Sequence, residues 1–489
     1  MQQKGSVKRM IDKEFFGEGK NIEFKREIPK DHKKFLKDII AFSNCTGGKV
    51  ILGIEDITNT VYGIGELNPF RLSDTISNMI SDACTPQIDP IITVQTVEEK
   101  TVVVIDVVPG RFRPYYLKTV GKELSTYIRI NGTSRVADAR MLQELELEGQ
   151  RLHYDTLQEI GSEYDEMKAQ ALCDTMYHVA VSNCVDQDHA GEVEIMTIEK
   201  LEDMGILCKV GRDYAPTHAF RLLTDNGIHQ AKIQCALFKG TERDIFIDRK
   251  EYKGAIFEQI EDAYQFVLKH INLGATIDGL TRQDAYELPP TAIREMICNA
   301  VCHRSYLDES AIQVSIFDDR IEVLSPGMLY GGLDIVSAKL GKSRCRNAAI
   351  ADAFFYMGII EAWGSGLPRI IRKCKEYNLP APLFEEFGDG FKATLFRANA
   401  ANMPESAVKV PENGIKVPES AGKLPTNPQE LKIMQYVTEH GSITTAIVEE
   451  LLEVKGRRAR SIVNKMVDDG LIIKQGASRS TRYIIAAVE

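Results

Sequence analysis

The sequence contains no Cys-x-x-Cys pair, and no apolar run in it approaches the roughly 18 residues that a membrane-spanning helix needs. Its ten cysteines stand apart, at 45, 84, 173, 184, 208, 235, 298, 302, 345 and 374. Cys298, Cys302 and His303 lie close in sequence, but structural zinc takes four ligands and no second Cys/His pair is near. With no secretory leader preceding them, the thiols are expected to be reduced and the protein cytoplasmic, without a membrane partner. A surplus of positive charge is also lacking. Sixty Lys/Arg against 70 Asp/Glu give a net charge of −10, which excludes a polycation that coats nucleic acid along its whole length. Any nucleic-acid site has to be a local patch.

Two such patches exist. Residues 1–37 hold eleven Lys/Arg against six Asp/Glu, and from Lys455 onward eight Lys/Arg face three acids. This asymmetry is typical of terminal binding modules. The length of 489 residues predicts several domains, and 44% hydrophobic with 27% charged residues excludes a fibrous or wholly disordered chain. An α+β multidomain protein is expected. Residues 398–427 repeat K-V-P and K-L-P units with few large apolar side chains, which reads as a linker. The organisation expected is an α+β block at 1–150, a mixed connecting block at 156–275, a third block at 276–397, the linker, and a small module at 428–489.

In the first block, the alternation of NIEFKRE sends Ile22 and Phe24 to one face of a strand and Glu23 and Lys25 to the other. Glu18 lies five residues upstream, and the apolar run KVILGIED ends at Glu55 and Asp56. A crossover between these strands would bring carboxylates together, and clustered carboxylates hold best around a divalent cation. The alternative is three solvated acids at strand ends, with Lys25 paired to one of them. The series I-E-F-K-R-E, A-F-S-N-x-x-G-G-K-V-I-L-G-I-E-D and Y-I-R-I-N-G-T-S resembles the Schlafen AlbA-2 domain over roughly residues 15–140. That resemblance implies nucleic-acid binding. Animal Schlafens carry a related endoribonuclease whose acids match Glu18, Glu23 and Asp56, which implies a Mg²⁺ or Mn²⁺ site there. The animal enzymes pair two such lobes and this chain shows one copy, so cleavage would need a homodimer or higher assembly. Lys20, Lys25, Arg26, Lys33, Lys34, Lys37, Arg111, Arg113 and Arg129 are the candidate phosphate contacts of this block.

In the third block, PPTAIREMICNAVCHRSY predicts a helix with Pro in its first turn and Glu295, Asn299 and His303 at spacings of four, on one polar edge. A carboxamide oxygen can ligand Mg²⁺, a carboxylate one turn earlier can polarise water, and an imidazole one turn later can reach phosphate oxygens. A polar edge facing another domain is the alternative. IQVSIFDDRIEVLSPG predicts a hairpin, and W-G-S-G-L-P-R-I predicts a turn in which Gly364 and Gly366 let backbone N–H groups approach an anion. Leu340-Gly341-Lys342-Ser343 resembles the end of a P-loop, but Val336 stands where its first glycine belongs. Together, E-x-x-x-N-A-x-x-H, S-P-G and G-x-x-E-x-W-G-S-G resemble a divergent Bergerat (GHKL) ATP-binding domain, an α/β sandwich. The resemblance implies ATP and Mg²⁺ as ligands: Glu295 activating water, Asn299 on the magnesium, His303, Ser325 and Gly327 lining the site, and Gly364, Ser365 and Gly366 cradling the triphosphate. Ser325 replaces the Asp that reads adenine in that family.

Residues 428–440, 444–454 and 457–469 predict three amphipathic helices followed by strand, turn and strand, the order of a winged helix-turn-helix. Ile462, Val463 and Met466 would pack inward, leaving Arg457, Arg458, Arg460, Asn464 and Lys465 to a DNA groove, with Arg479 and Arg482 on the wing. The expected function is an ATP-binding transcriptional regulator in which nucleotide occupancy biases domain arrangement and DNA affinity. A metal-dependent endoribonuclease acting on structured RNA is the alternative.

Overall fold

Alternating apolar residues make the first strand, β1 (Ile22–Lys25), which runs parallel to β2 (Gly48–Leu52) with Glu23 opposite Val50 and Lys25 opposite Leu52. In this computed structural model, residues 20–56, 58–130, 132–184, 191–224, 231–278, 281–361 and 364–398 are described. Beyond them, so are residues 433, 436, 443–452, 458–459, 462–463, 466–467, 472–475 and 482–485. The crossover between β1 and β2 is helix α1 (His32–Asn44), capped by the Asp31 carboxylate, which accepts from the Lys33 N–H. Its apolar edge, Phe35, Leu36, Ile39, Ile40 and Phe42, is buried against the sheet. Helix α2 (Pro69–Ala83) starts on an Asn68 cap and leads to β3 (Ile91–Val97) and β4 (Lys100–Val107). The sheet order is β1-β2-β4-β3. A separate hairpin, β5 (Tyr127–Ile130) and β6 (Thr133–Val136), precedes helix α3 (Ala139–Gln150), which is capped by Asp138.

The next elements are helix α4 (Glu166–Asn183), strands β7 (Ile233–Phe238) and β8 (Phe246–Tyr252), and helix α5 (Ile256–His270). A hairpin of β9 (Leu273–Asp278) and β10 (Thr281–Tyr286) follows, then helix α6 (Pro290–His303). Strands β11 (Ile312–Ile316) and β12 (Arg320–Pro326) form the hairpin expected around Asp318 and Asp319. Helices α7 (Ala348–Tyr356) and α8 (Gly366–Glu376) and strands β13 (Leu383–Phe387) and β14 (Gly390–Phe396) complete this part. The six-stranded sheet has the order β8-β7-β11-β12-β14-β13.

This sheet corrects the expected boundary near residue 275. Strand β7 pairs in parallel with β11, Ile233 opposite Ile312 through Leu237 opposite Ile316. One core joins Leu172, Ile233 and Val267 from the expected connecting block to Ile297, Val314 and Leu395 from the block after it. The 156–275 segment therefore completes the sheet and core of the segment after it.

The chain divides into two compact units, Met1–Val408 and Lys409–Glu489. In the second, helix α9 (Thr445–Leu452) and a hairpin of β15 (Ile472–Gln475) and β16 (Arg482–Ile485) are described. Val463 and Met466 are buried with Ile433, Ile443, Val448, Ala459 and Tyr483, and Ile462 packs against them, as the amphipathic pattern predicts. Arg458 is exposed, while Arg457, Arg460, Asn464, Lys465 and Arg479 lie outside the described residues. Among the described residues, no helix is long and apolar enough to cross a membrane.

Candidate functional site

Helix α6 buries Ile293, Met296, Ile297, Ala300 and Val301. Its other edge, Glu295, Asn299 and His303, forms one wall of a cavity of about 500 Å³. The opposite walls come from Ser325 near the end of β12 and Gly327 and Met328 after it, from Lys342, Ser343 and Arg344, from the turn at Gly364 and Ser365, and from the start of α8. The polar edge thus faces an open space rather than packed protein. Apolar lining comes from Met296, Val323, Leu333, Phe384 and Phe391.

The turn before α8 is built on glycine for steric reasons. Gly364 has φ +66, and a Cβ there would lie 2.2 Å from the Gly341 carbonyl oxygen. A Cβ on Gly366 would lie 2.7 Å from Asn299 Nδ2 and 2.9 Å from Glu295 Oε1, so α8 begins pressed against these two side chains of α6. No side chain caps the first turn of α8 among the described residues, and the Ser365 hydroxyl donates to Glu361, at 3.3 Å. Pro368 has no N–H, so this helix start presents the Gly366 and Leu367 N–H groups toward an anion.

Asn299 Nδ2 is buried without a hydrogen-bond partner among the described residues. Burial pushes the Glu295 carboxyl above its ordinary range, opposed by the Arg369 guanidinium, whose Nη1 lies 3.5 Å from Glu295 Oε2. Arg369 also pairs with Glu361. His303 is pushed down to about 4 by burial and by Arg346 nearby, so its imidazole is neutral at pH 7. Lys342 and Arg344 are exposed and carry no ion pair among the described residues. A carboxamide with a free polar end, a poised carboxylate, two unpaired cations and uncapped N–H groups surround one space. Such a set suits a polyanion carrying a divalent cation.

Of the amino-terminal acids, Glu23 is described within a charged cluster. The Glu23 carboxylate accepts from Lys25 Nζ at 2.9 Å and from Arg129 Nη1 at 2.9 Å, and Asp38 closes the cluster at 2.9 Å from Lys25 Nζ. Asp56 is exposed beyond the end of β2, while the β1–β2 register sets Glu23 beside Val50, six residues earlier. No group of three His, Cys, Asp or Glu side chains able to hold a metal occurs among the described residues, and Glu18 lies outside them. Arg129, at 2% exposure, and Arg113, at 6%, are interior side chains, which corrects their reading as phosphate contacts. Arg113 donates to the Ser43 and Cys45 carbonyls and pairs with Glu148. Lys25 belongs to the Glu23 cluster and Lys20 pairs with Glu386. Of the candidate contacts, Arg26, Lys33, Lys34 and Arg111 are exposed, and Arg26 lies over the Tyr62 ring at 4.1 Å.

Comparison with known proteins matches two parts of the chain. A family model described as "Schlafen, AlbA_2" matches residues 18–138. These residues are a Schlafen AlbA_2 domain. A second model, "Putative ATP-dependent DNA helicase recG C-terminal", matches residues 309–395, from β11 through the cavity loops and α8 to β14. Helix α6, which supplies the polar edge, precedes that match. Among solved structures, the chain is similar to the DIP2311 protein from Corynebacterium diphtheriae, at 18% identity over 98% of this chain and 96% of that one, with a TM-score of 0.41. It is also similar to the N-terminal domain of a "Putative ATP-dependent DNA Helicase RecG-related Protein" from Nitrosomonas europaea, at 20% identity over 27% of this chain and 94% of that one, with a TM-score of 0.21. No curated protein matches the chain. An AlbA_2 domain and a RecG-like ATPase-type domain in one chain point to a nucleotide-binding, nucleic-acid-related protein.

Sequence reasoning found the α6 edge and the glycine turn of the RecG-like region but missed Arg369, Glu361, Lys342, Arg344 and Asp352, which also serve the cavity or line it. Lys342 and Arg344 stood in view within K-S-R-C-R-N, the one signal available. Ser325, expected at a base-reading position, lines the cavity, but its hydroxyl donates to the Ala300 carbonyl at 2.9 Å. Its remaining capacity toward a ligand is as an acceptor.

Proposed function

We propose that the cavity beside α6 binds Mg-ATP in the manner of a divergent GHKL domain, and that occupancy biases how the protein engages nucleic acid. The observation that carries the reading is the convergence of Glu295, Asn299 and His303 on one cavity, with the uncapped start of α8 pressed against the first two. Asn299 would hold the metal through its carboxamide oxygen, and its buried Nδ2, without a partner among the described residues, would donate to a phosphate oxygen. Bound Mg²⁺ would neutralise triphosphate charge. The α8 N–H groups, Lys342 and Arg344 would bind phosphate oxygens, and Glu295 would orient and deprotonate water. His303 would stay neutral and act as a hydrogen-bonding group rather than a cation.

Nucleic acid would be met by the exposed cations Arg26, Lys33, Lys34 and Arg111 on the AlbA_2 domain and by a carboxy-terminal winged helix carrying Arg458, with Arg482 at the start of a wing strand. Titration of the full chain with Mg-ATP in a calorimeter, followed by DNA affinity measured with and without Mg-ATP, tests the reading. Saturable binding with a shifted DNA affinity is expected. Equal DNA affinity in both conditions would remove the switch.

Two further outcomes are expected at this site. Gly366→Ala should leave the unfolding midpoint near that of the wild type yet weaken Mg-ATP binding at least about tenfold, because the added methyl displaces Asn299 and Glu295. Circular dichroism melts together with calorimetry check this. If ATP is turned over, phosphate release should rise with pH through a midpoint above the ordinary carboxylate range, because burial holds the proton on Glu295. Arg369→Gln should move that midpoint further up, since the cation opposing the shift is gone. A flat profile between about pH 5 and 8 would remove Glu295 as the base.

A further inference from the structure

The loop after β12, residues 327–333, is a wall with space on both faces. Gly327, Met328, Leu329 and Tyr330 line the cavity of about 500 Å³ on one side and a second cavity of about 70 Å³ on the other. The far wall of the second cavity belongs to the amino-terminal block, with Cys45, Arg113 and Arg129 from the AlbA_2 domain and Glu144 and Glu148 from α3. A close-packed wall resists displacement, whereas one open on both faces has room to shift. Glycine sets the path of the loop, with φ +96 at Gly327, +67 at Gly331 and +71 at Gly332.

The attachments of this loop cross to the amino-terminal block. Arg346, 7% exposed, donates from Nη2 to the Met328 carbonyl and from Nη1 to the His303 carbonyl, both at 2.6 Å, and its Nε lies 2.6 Å from Glu144 Oε1. One guanidinium thus joins the loop, the end of α6 and α3. A Cβ on Gly327 would collide with Arg346 Nη1, so the loop is seated directly on that group. At the other end of the loop, a Cβ on Gly332 would lie 2.8 Å from Arg113 Nη2. Between them the Leu329 N–H donates to the Glu386 carboxylate at 3.2 Å, and Glu386 pairs with Lys20. All three ties end on the amino-terminal block, at Glu144, Arg113 and Lys20, yet among the described residues none of that block lines the larger cavity.

We infer that the 327–333 loop, clamped by Arg346, is the element that couples nucleotide occupancy to the AlbA_2 domain and α3. The inference rests on the nucleotide reading above and names the route of its regulation. With the cavity filled, the loop is held against Arg346, and the Arg346–Glu144 pair fixes α3. With it empty, the loop shifts between its two open faces and α3 loosens with it. The coupling is reciprocal, so a ligand that orders α3 also raises the affinity for nucleotide.

The test is hydrogen–deuterium exchange read by mass spectrometry on the full chain, with and without a saturating Mg²⁺ complex of a non-hydrolysable ATP analogue, for the wild type, Glu144→Gln and Arg140→Gln. In the wild type the ligand should slow exchange in the 327–333 loop and, remotely, in α3, there by at least about fivefold, the low end of typical coupling between sites. Glu144→Gln should keep the protection of the loop and lose that of α3, to within about twofold of the ligand-free rate. Arg140→Gln breaks pairs with Asp308 and Asp389, which lie outside the loop, and should retain both effects. Protection of the loop without protection of α3 in the wild type overturns the inference and leaves nucleotide binding standing. So does α3 protection that survives in Glu144→Gln, or that is lost equally in Arg140→Gln, the sign of a loosened interface instead of a route. No protection anywhere overturns the nucleotide reading itself. The wild-type comparison decides without either variant if one of them folds poorly.

Discussion

Asn299→Ala is expected to lower affinity for Mg-ATP about a hundredfold or more while shifting the unfolding midpoint little, since losing even a supporting partner of a metal site costs about 10- to 100-fold. Asn299 sits in the middle of the α6 edge, half-buried, with Glu295 one turn before it and His303 one turn after. Its Nδ2 has no hydrogen-bond partner among the described residues, so truncation to alanine removes no internal bond there and vacates only the cavity wall. A side chain kept for packing would show the reverse pattern, with lost stability and unchanged binding. Titrations with and without Mg²⁺ sharpen the test. If Asn299 acts through the metal, the variant and the wild type should converge when the ion is withheld.

The second large effect falls on stability. Arg129→Ala should destabilise the Met1–Val408 unit by about 3–5 kcal/mol, the cost of removing one member of a buried ion cluster. The Arg129 guanidinium lies between Glu23, at 2.9 Å, and Asp38, at 3.7 Å, and also donates to the Lys20 carbonyl and the Ser134 hydroxyl. Its removal leaves two carboxylates, 15% and 9% exposed, with Lys25 as their remaining cation. Arg26→Ala provides the contrast. That side chain is 59% exposed, and its loss should change stability by no more than about 0.5 kcal/mol while weakening nucleic-acid binding. Urea denaturation separates the two. Wild-type stability in Arg129→Ala, accompanied by lost nucleic-acid binding, would restore Arg129 as a surface contact.

What the sequence made legible was local. The α6 edge follows from a spacing of four and the β11–β12 hairpin from its Asp-Asp turn. The parallel pairing of β7 with β11 joins residues nearly 80 positions apart, and no periodicity reports it, so the expected domain boundary fell inside a sheet. Arg129 failed as a surface contact for the same reason. Within β5 it reads as a polar strand residue, and only the packing of α1 and β1 against that hairpin encloses it. At the cavity, the residues seen in advance share one helix or one turn. Those missed, Arg369, Glu361 and Asp352, arrive from other elements and gain meaning from what stands opposite them.

The account is tested most directly by a crystal structure of the full chain grown with Mg²⁺ and a non-hydrolysable ATP analogue. It predicts nucleotide density between α6 and α8, with the metal against Asn299 and phosphate oxygens at the N–H groups of Gly366 and its neighbours. Nucleotide bound elsewhere, or a cavity that stays empty at saturating nucleotide, would contradict it.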